Sequence, residues 1–334
     1  MCAPKILPIT VVLATRNRAS SAARAAASIL RSSYSEYRLC IIDQSDDAST
    51  RVALASIADN PRVTIIAAPA RGLSAARNLG IAQSNTPLIA FTDDDCEPGP
   101  QWLHAIADAF AADATIGVVF GTVNAPVYDR STGFIPAYRV SVAFTAQSLK
   151  QKSSIEGFGA NMAVRRTIWQ ALGGFDELMG VGSLFCAGED TDFAIRALIA
   201  GHKVHENPIA VVTHFGFRRW DESSRTIAGY MVGLGAANAK MLRLGGRRAW
   251  KPIADLAWRW FAARPVADLN HVPPRLHRLF AFARGAWKGM LKPLDRDTGC
   301  FTNPAELSQH RASGYAVRRE KKKPPIGCVR GKRD

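Results

Sequence analysis

Short apolar runs alternate with stretches of helical period along the first third of the chain. The runs Ile6 to Leu13, Tyr37 to Ile42, Val63 to Ala67 and Leu88 to Thr92 are β-branched or apolar nearly throughout, as strands buried on both faces are. Helices are expected between them, from about Ser20 to Arg31, from about Ser49 to Ala58, and up to about Gln83. This alternation predicts an α/β fold with a mostly parallel mixed sheet and helices on both faces. Further on, helical spacing returns from Thr191 to Gly201 and from Arg225 to Leu244, the latter stopped by Gly245-Gly246.

The fourth apolar run ends in Asp93-Asp94-Asp95. Adjacent like charges repel, so a strand that ends this way offers its carboxylates to a cation, and hard oxygen ligands suit Mg²⁺ or Mn²⁺. Strand alternation would put Asp93 and Asp95 on one face and turn Asp94 the other way. In open α/β sheets ligands bind beyond the carboxyl ends of strands, where these residues fall. Read alone, the triplet is also compatible with a solvated acidic turn ahead of Pro98 and Pro100.

Composition narrows the classes. The chain of 334 residues is 47% apolar, enough for a sizeable core. Its six cysteines form no Cys-x-x-Cys pair, which argues against a zinc ribbon or a disulfide framework and fits a cytoplasmic protein. The first residues do not read as a secretory signal, and no uncharged apolar run of about 20 residues predicts a spanning helix. No Gly-x-Gly-x-x-Gly follows the first strand, and no Gly-x-x-x-x-Gly-Lys-Ser/Thr occurs, which argues against a dinucleotide dehydrogenase or a P-loop enzyme.

The strings Val11-Val12-Leu13-Ala14-Thr15-Arg16-Asn17-Arg18, Ile41-Ile42-Asp43, Gly72-Leu73-Ser74-Ala75-Ala76-Arg77-Asn78 and Phe91-Thr92-Asp93-Asp94-Asp95 stand in a recognisable order. Gly159-Ala160-Asn161-Met162, Gly173-Gly174-Phe175-Asp176-Glu177, Gly188-Glu189-Asp190-Thr191-Asp192 and His214-Phe215 continue it. Over roughly residues 6 to 216 the chain resembles the family 2 glycosyltransferases of GT-A fold, in their non-processive form. The Gln-x-x-Arg-Trp of processive members is absent, the nearest string being Gly216-Phe217-Arg218-Arg219-Trp220. The resemblance implies inverting transfer of one sugar from a nucleoside-diphosphate sugar to a glycan or lipid-linked acceptor, with a divalent metal, in surface polysaccharide or glycolipid assembly. It places Thr15, Asn17, Asp43, Arg77, Asp93 and Asp94 around the nucleotide sugar, and Asp95, Asp93 and His214 at the metal. Asp190 becomes the general base with Glu189 beside it, and Asn161, Phe175 and Asp176 lie on the acceptor side. For several of these a plainer role stays open: a helix cap for Asp43, Glu189 and Asp190, a solvated helix position for Arg77, a structural imidazole for His214, and ordinary core for Phe175. Two rival functions are a sugar-phosphate nucleotidyltransferase, which would want a glycine-rich basic loop after the first strand, and a nucleic-acid-binding protein using the basic tail. No zinc, recognition-helix or aromatic RNA-binding signature supports the second.

The net charge of +15 is unevenly spread, with 20 Lys/Arg against 7 Asp/Glu from Gly246 to Asp334 and 23 against 21 before it. Trp250, Ile253, Ala257, Trp260 and Phe261 recur at helical spacing, as do Leu276, Leu279, Phe280, Ala283, Trp287 and Leu291 opposite Arg278, Arg284, Lys288 and Lys292. The expectation is a catalytic domain over 1–222, a helical basic region over 223–317 and a disordered basic tail over 318–334. The helices would either lie on an anionic membrane surface, at the inner face of the cell membrane, or pack on the catalytic domain.

Overall fold

The computed structural model describes residues 6–68, 72–262 and 274–302. The side chains of Ala257, Trp260 and Phe261 and the expected tail over 318–334 lie outside the described residues. The predicted alternation is present as β1 (Ile9–Thr15), α1 (Ala19–Leu30), β2 (Tyr37–Asp43), α2 (Ser49–Ala53), β3 (Val63–Ala67), α3 (Leu73–Ala82) and β4 (Leu88–Asp93). Next come β5 (Cys96–Pro98), α4 (Trp102–Ala112), β6 (Ile116–Asn124), β7 (Gly133–Phe134), β8 (Phe144–Ala146), β9 (Asn161–Arg165) and α5 (Arg166–Ala171). The order closes with α6 (Glu189–Ile199), β10 (Lys203–His214), β11 (Arg218–Arg219), α7 (Trp220–Gly245), α8 (Trp250–Ala262) and α9 (Arg275–Leu291).

The main sheet runs β3-β2-β1-β4-β9-β6-β10-β5, with β8 also paired to β10. β1, β2, β3 and β4 pair in parallel, β9 is antiparallel to both β4 and β6, and β10 returns to parallel beside β6. The chain winds outward from β1 through β2 to β3, then crosses back to lay β4 on the other side of β1. The strand order therefore reverses between β1 and its two neighbours, and their carboxyl ends, carrying Thr15, Asp43 and Asp93, open the crevice where such sheets bind ligands.

Alternation sorts each central strand between two cores. β1 sends Val12 to one face and Ile9, Val11 and Leu13 to the other; β4 likewise divides Ile89 and Phe91 from Leu88 and Ala90. α1 and α4 cover the second face, while α6 and α7 cover the first. α3 reaches β1 through Gly80, where a Cβ would press on the Val12 side chain.

The expected boundary at 222/223 falls inside α7, and residues up to Phe301 form one compact unit. α7 is held to the sheet domain by a buried ammonium. Lys240 Nζ lies 2.6 Å from Asp176 and 2.7 Å from Asp192, and the three side chains are no more than 1% exposed.

Candidate active site

Three carboxylates leave β4 together, and each meets a different environment. The strand ends at Asp93, and the turn that follows stops the expected alternation. As a result Asp94 and Asp95 do not point apart but share one cation: Arg18 NH1 donates to Asp94 Oδ1 at 2.9 Å and to Asp95 Oδ2 at 2.7 Å. Thr15 Oγ1 donates to the other Asp94 oxygen at 2.8 Å. Asp95 also faces His214 Nε2 at 3.1 Å and Arg218 at 3.6 Å. Asp93, 30% exposed, lies 3.6 Å from the Arg77 guanidinium, and His214 also acts on its charge.

Charge follows this placement. Burial pushes the Asp93 carboxyl up, Arg77 opposes it, and the neighbouring Asp95 adds to the rise. Asp94 is also raised by burial against the pull of Arg18 and Thr15. Asp95 ends well below the usual carboxylate range, because His214 and Arg18 together outweigh its burial.

His214 closes the β10 end of the site. Its Nδ1 lies 2.7 Å from the Pro136 carbonyl, which can only accept, so Nδ1 carries a proton. Nε2 is then left for Asp95, either through a shared proton or through a metal. Burial pulls the imidazole pKa down, but the Asp95 contact and the Pro136 bond more than reverse this, and the net shift is upward. Gly216 is needed here, since a Cβ on it would overlap both Asp95 Oδ2 and His214 Nε2. The donor set fits a hard divalent cation: ionised Asp95, the His214 imidazole, and a nearby Asp93 that is short of positive charge. Cys96 joins the cluster, with its sulfur within 4.8 Å of the Asp95 and His214 ligand atoms. Burial and the charges of Asp93 and Asp95 raise its thiol well above the ordinary value, which keeps it protonated and inert.

Opposite this cluster, α6 starts at Gly188, whose φ of 83° places it in the left-handed region that glycine tolerates. Its first turn carries Glu189, Asp190 and Asp192, the arrangement a helix dipole favours. Asp190 is half-buried; its Oδ2 accepts from Gly159 N at 2.6 Å and its Oδ1 from Thr191 N at 2.6 Å. A methyl on Gly159 would sit 3.0 Å from Asp190 Oδ2 and 3.1 Å from Arg77, so the segment approaches closely because that residue is glycine. Glu189 is buried and receives Arg77 NH1 at 2.9 Å. Burial and the neighbouring Asp190 charge push its carboxyl up to about 7 despite Arg77.

Several sequence expectations change on this geometry. Arg77 is not solvated; at 3% exposure its guanidinium meets Glu189, the Gly159 carbonyl and Asp93. Phe175 cannot stack on a sugar, since it is buried between Phe193, at a centroid distance of 4.7 Å, and the edge of Phe91. Asp176 is buried and binds Lys240 and the Phe301 and Leu178 amides. Asn161 is interior too, accepting from Trp102 Nε1 at 2.8 Å and donating to the Thr122 and Ala210 carbonyls. Asp43 caps its own turn, through Ser45 N at 2.9 Å, rather than a helix. Asn17, at a φ of 56°, locks the β1 loop to the β2 loop through Asp46 and Ser45. Sequence reasoning missed the roles of Arg18 and Cys96. Arg18 had a usable signal, being a basic residue in the turn that leaves the strand beside the acidic one.

The family model described as Glycosyl transferase family 2 matches residues 10–172. The pre-mycofactocin glycosyltransferase of Mycobacterium tuberculosis is 28% identical over 226 residues, spanning 63% of this chain and 43% of that protein. Glycosyltransferase AglE of Haloferax volcanii is 26% identical over 203 residues, spanning 59% of this chain and 63% of its own. This chain therefore spans less than two thirds of either relative. Among solved structures, the mannosyltransferase PcManGT from Pyrobaculum calidifontis, in complex with GDP-Man and Mn²⁺, aligns with a TM-score of 0.57 at 19% identity over 94% of this chain and 82% of that one. S. aureus TarS 1-349 aligns with a TM-score of 0.57 at 13% identity over 93% of each chain. At such identities the likeness is one of fold.

Proposed function

The chain belongs to glycosyl transferase family 2, with the GT-A fold, and on that premise we propose that it transfers one sugar from a nucleoside-diphosphate sugar to a hydroxyl acceptor with inversion. The proposal rests on two carboxylate centres placed on either side of one buried guanidinium, Arg77. Asp93 to Asp95 lie at the β4 end with His214, and Asp190 heads α6 on the far side of Arg77.

In this reading Thr15 and Asp43, at the ends of β1 and β2, line the nucleoside pocket. Asn17 shapes it by tying the two loops together. Asp93, the more exposed of the charged strand-end groups, faces the ribose and the sugar. Asp95 and His214, with Asp93, would hold a divalent cation, as the Mn²⁺ in the PcManGT complex suggests. Such an ion neutralises charge that gathers on a leaving nucleoside diphosphate. Arg18 and Arg218 add fixed positive charge on the same side.

Asp190 takes the proton of the attacking hydroxyl. Its backbone hydrogen bonds aim the carboxylate while leaving it partly open to solvent. Glu189 is buried against Arg77 and serves as a positioning group. Attack opposite the leaving group in a single displacement inverts the anomeric carbon. An acceptor that is a glycan or a lipid-linked sugar, in surface polysaccharide or glycolipid assembly, fits a half-open site of this kind.

The test is a panel of nucleotide sugars incubated with the full chain in Mn²⁺ or Mg²⁺, followed by release of nucleoside diphosphate. At least one donor is expected to turn over, and chelation is expected to stop it. Asp190→Asn should lose on the order of a hundredfold or more in turnover while retaining nucleotide affinity. Undiminished turnover in a chelator would overturn the metal role, and equal loss of nucleotide binding in Asp190→Asn would overturn the base assignment.

A further inference from the structure

Helix α9 has two apolar faces, and the fold uses only one. The inner face is built of small residues. Gly285 and Gly289 are buried against α7, where a Cβ on Gly285 would overlap the Val232 carbonyl. Gly235 of α7 answers it, since a Cβ there would overlap the Phe282 carbonyl. The two backbones meet directly, and while Leu279 and Phe282 are half-buried, four other large apolar side chains of α9 point elsewhere.

They point to solvent. Leu276, Phe280, Trp287 and Leu291 are 68, 73, 67 and 65% exposed. At about 100° per residue they fall within a stripe roughly 60° wide, on the side away from the glycines. These four belong to the longer stripe expected either to pack or to dock, of which Leu279 is half-buried while the four remain largely exposed. Arg284 and Lys288 are exposed along its flank. On α8, Trp250 and Trp258 are likewise 72 and 73% exposed.

We propose that the outer face of α9 docks onto an anionic lipid surface. Charge selects this occupant. The apolar stripe is edged by basic residues, and the described residues from Gly246 onward carry ten Lys/Arg against three Asp/Glu, which matches acyl chains below a negative headgroup layer. Tryptophan is the side chain best suited to that boundary. No helix among the described residues is long and apolar enough to cross a membrane, so the contact is peripheral.

The docking face is wired to the site. α9 packs on α7, whose Lys240 binds Asp192 in the same helical turn as Asp190. If the transferase reading holds, a lipid-docked enzyme meets a lipid-linked acceptor on one surface.

The experiment is co-sedimentation of the full chain with phosphatidylcholine vesicles, with and without phosphatidylglycerol, alongside tryptophan emission. The wild type is expected to bind only the anionic vesicles, with a blue shift, and to be released as salt rises. Phe280→Ser with Trp287→Ser should weaken partitioning by tenfold or more. Arg284→Gln with Lys288→Gln should weaken it by roughly fivefold per charge. These positions are exposed, so circular dichroism and nucleotide affinity should stay unchanged. Wild type left in the supernatant with anionic vesicles at low salt would overturn the proposal. So would a dimer that Phe280→Ser with Trp287→Ser turns into monomer, since the face would then belong to a second copy. Donor turnover is measured without vesicles, so a failure here is separable from a failure of the transferase reading.

Discussion

Lys240→Met tests whether the helical half of the chain and the sheet domain are one cooperative structure. The substitution keeps length and apolar stem but deletes an ammonium placed 2.6 Å from Asp176 and 2.7 Å from Asp192, where no side chain is more than 1% exposed. Asp192 would retain Arg196 at 2.8 Å, and Asp176 would retain the Phe301 and Leu178 amides. Neither remaining set replaces the lost charge, and the contact of Lys240 with the Phe301 ring at 4.6 Å goes as well. Removing one partner from such a buried pair costs about 3–5 kcal/mol. With an unfolding entropy of about 2.1 cal/mol/K per residue over roughly 300 residues, the melting temperature should fall by about 5–8 °C. Differential scanning calorimetry of the full chain reads this directly. Adding Asp176→Asn to Lys240→Met should recover part of the loss, since it removes an uncompensated charge. A melting temperature within a degree of wild type would refute the reasoning.

Three further outcomes follow from the site. Burial and the Asp190 charge make Glu189 hold its proton more tightly in the folded chain than in the unfolded one, so stability declines as pH rises from the ordinary carboxylate range towards neutrality; Glu189→Gln should flatten that decline, and identical pH slopes in urea titrations would contradict this. Gly216→Ala should fold but lose tenfold or more in Mn²⁺ affinity, because the added methyl meets Asp95 and His214; unchanged Mn²⁺ binding by electron paramagnetic resonance would place the cation elsewhere. Arg18→Ala should bind Mn²⁺ about tenfold more tightly in the absence of nucleotide, since Arg18 competes for the Asp95 oxygen at 2.7 Å; no change would mean that it does not compete.

The architecture was legible because buried parallel strands write themselves as continuous apolar runs, and β1 to β4 lie within a few residues of where those runs predicted them. The acidic strand end was visible as Asp93-Asp94-Asp95, and it stands at the carboxyl end of β4 beside Arg18 and His214, although the letters alone left a solvated turn open. What failed is information that a string of letters does not carry. Phe175, Asp176 and Asn161 sit in segments that do approach the crevice, but whether a side chain faces it depends on partners distant in sequence: Phe193, Lys240 and Trp102. The Asp94 orientation failed because a tight turn replaced the pleat one residue after Asp93. Arg77, expected at the nucleotide sugar with a solvated helix position as the alternative, is enclosed by α6 and the segment holding Gly159, partners that lie far from it in sequence. The α9 stripe was found, but its direction was set by glycines on the opposite face, where closeness to α7 mattered more than side-chain size.

The central claim is that one crevice separates donor binding, at Asp95 and His214, from proton transfer, at Asp190. Calorimetric titration of nucleoside diphosphates into wild type, Asp95→Asn and Asp190→Asn, with Mn²⁺ and with a chelator, tests it most directly. Binding should require Mn²⁺, be lost in Asp95→Asn and be retained in Asp190→Asn. Binding that survives both the chelator and Asp95→Asn, or that disappears in Asp190→Asn, would contradict it.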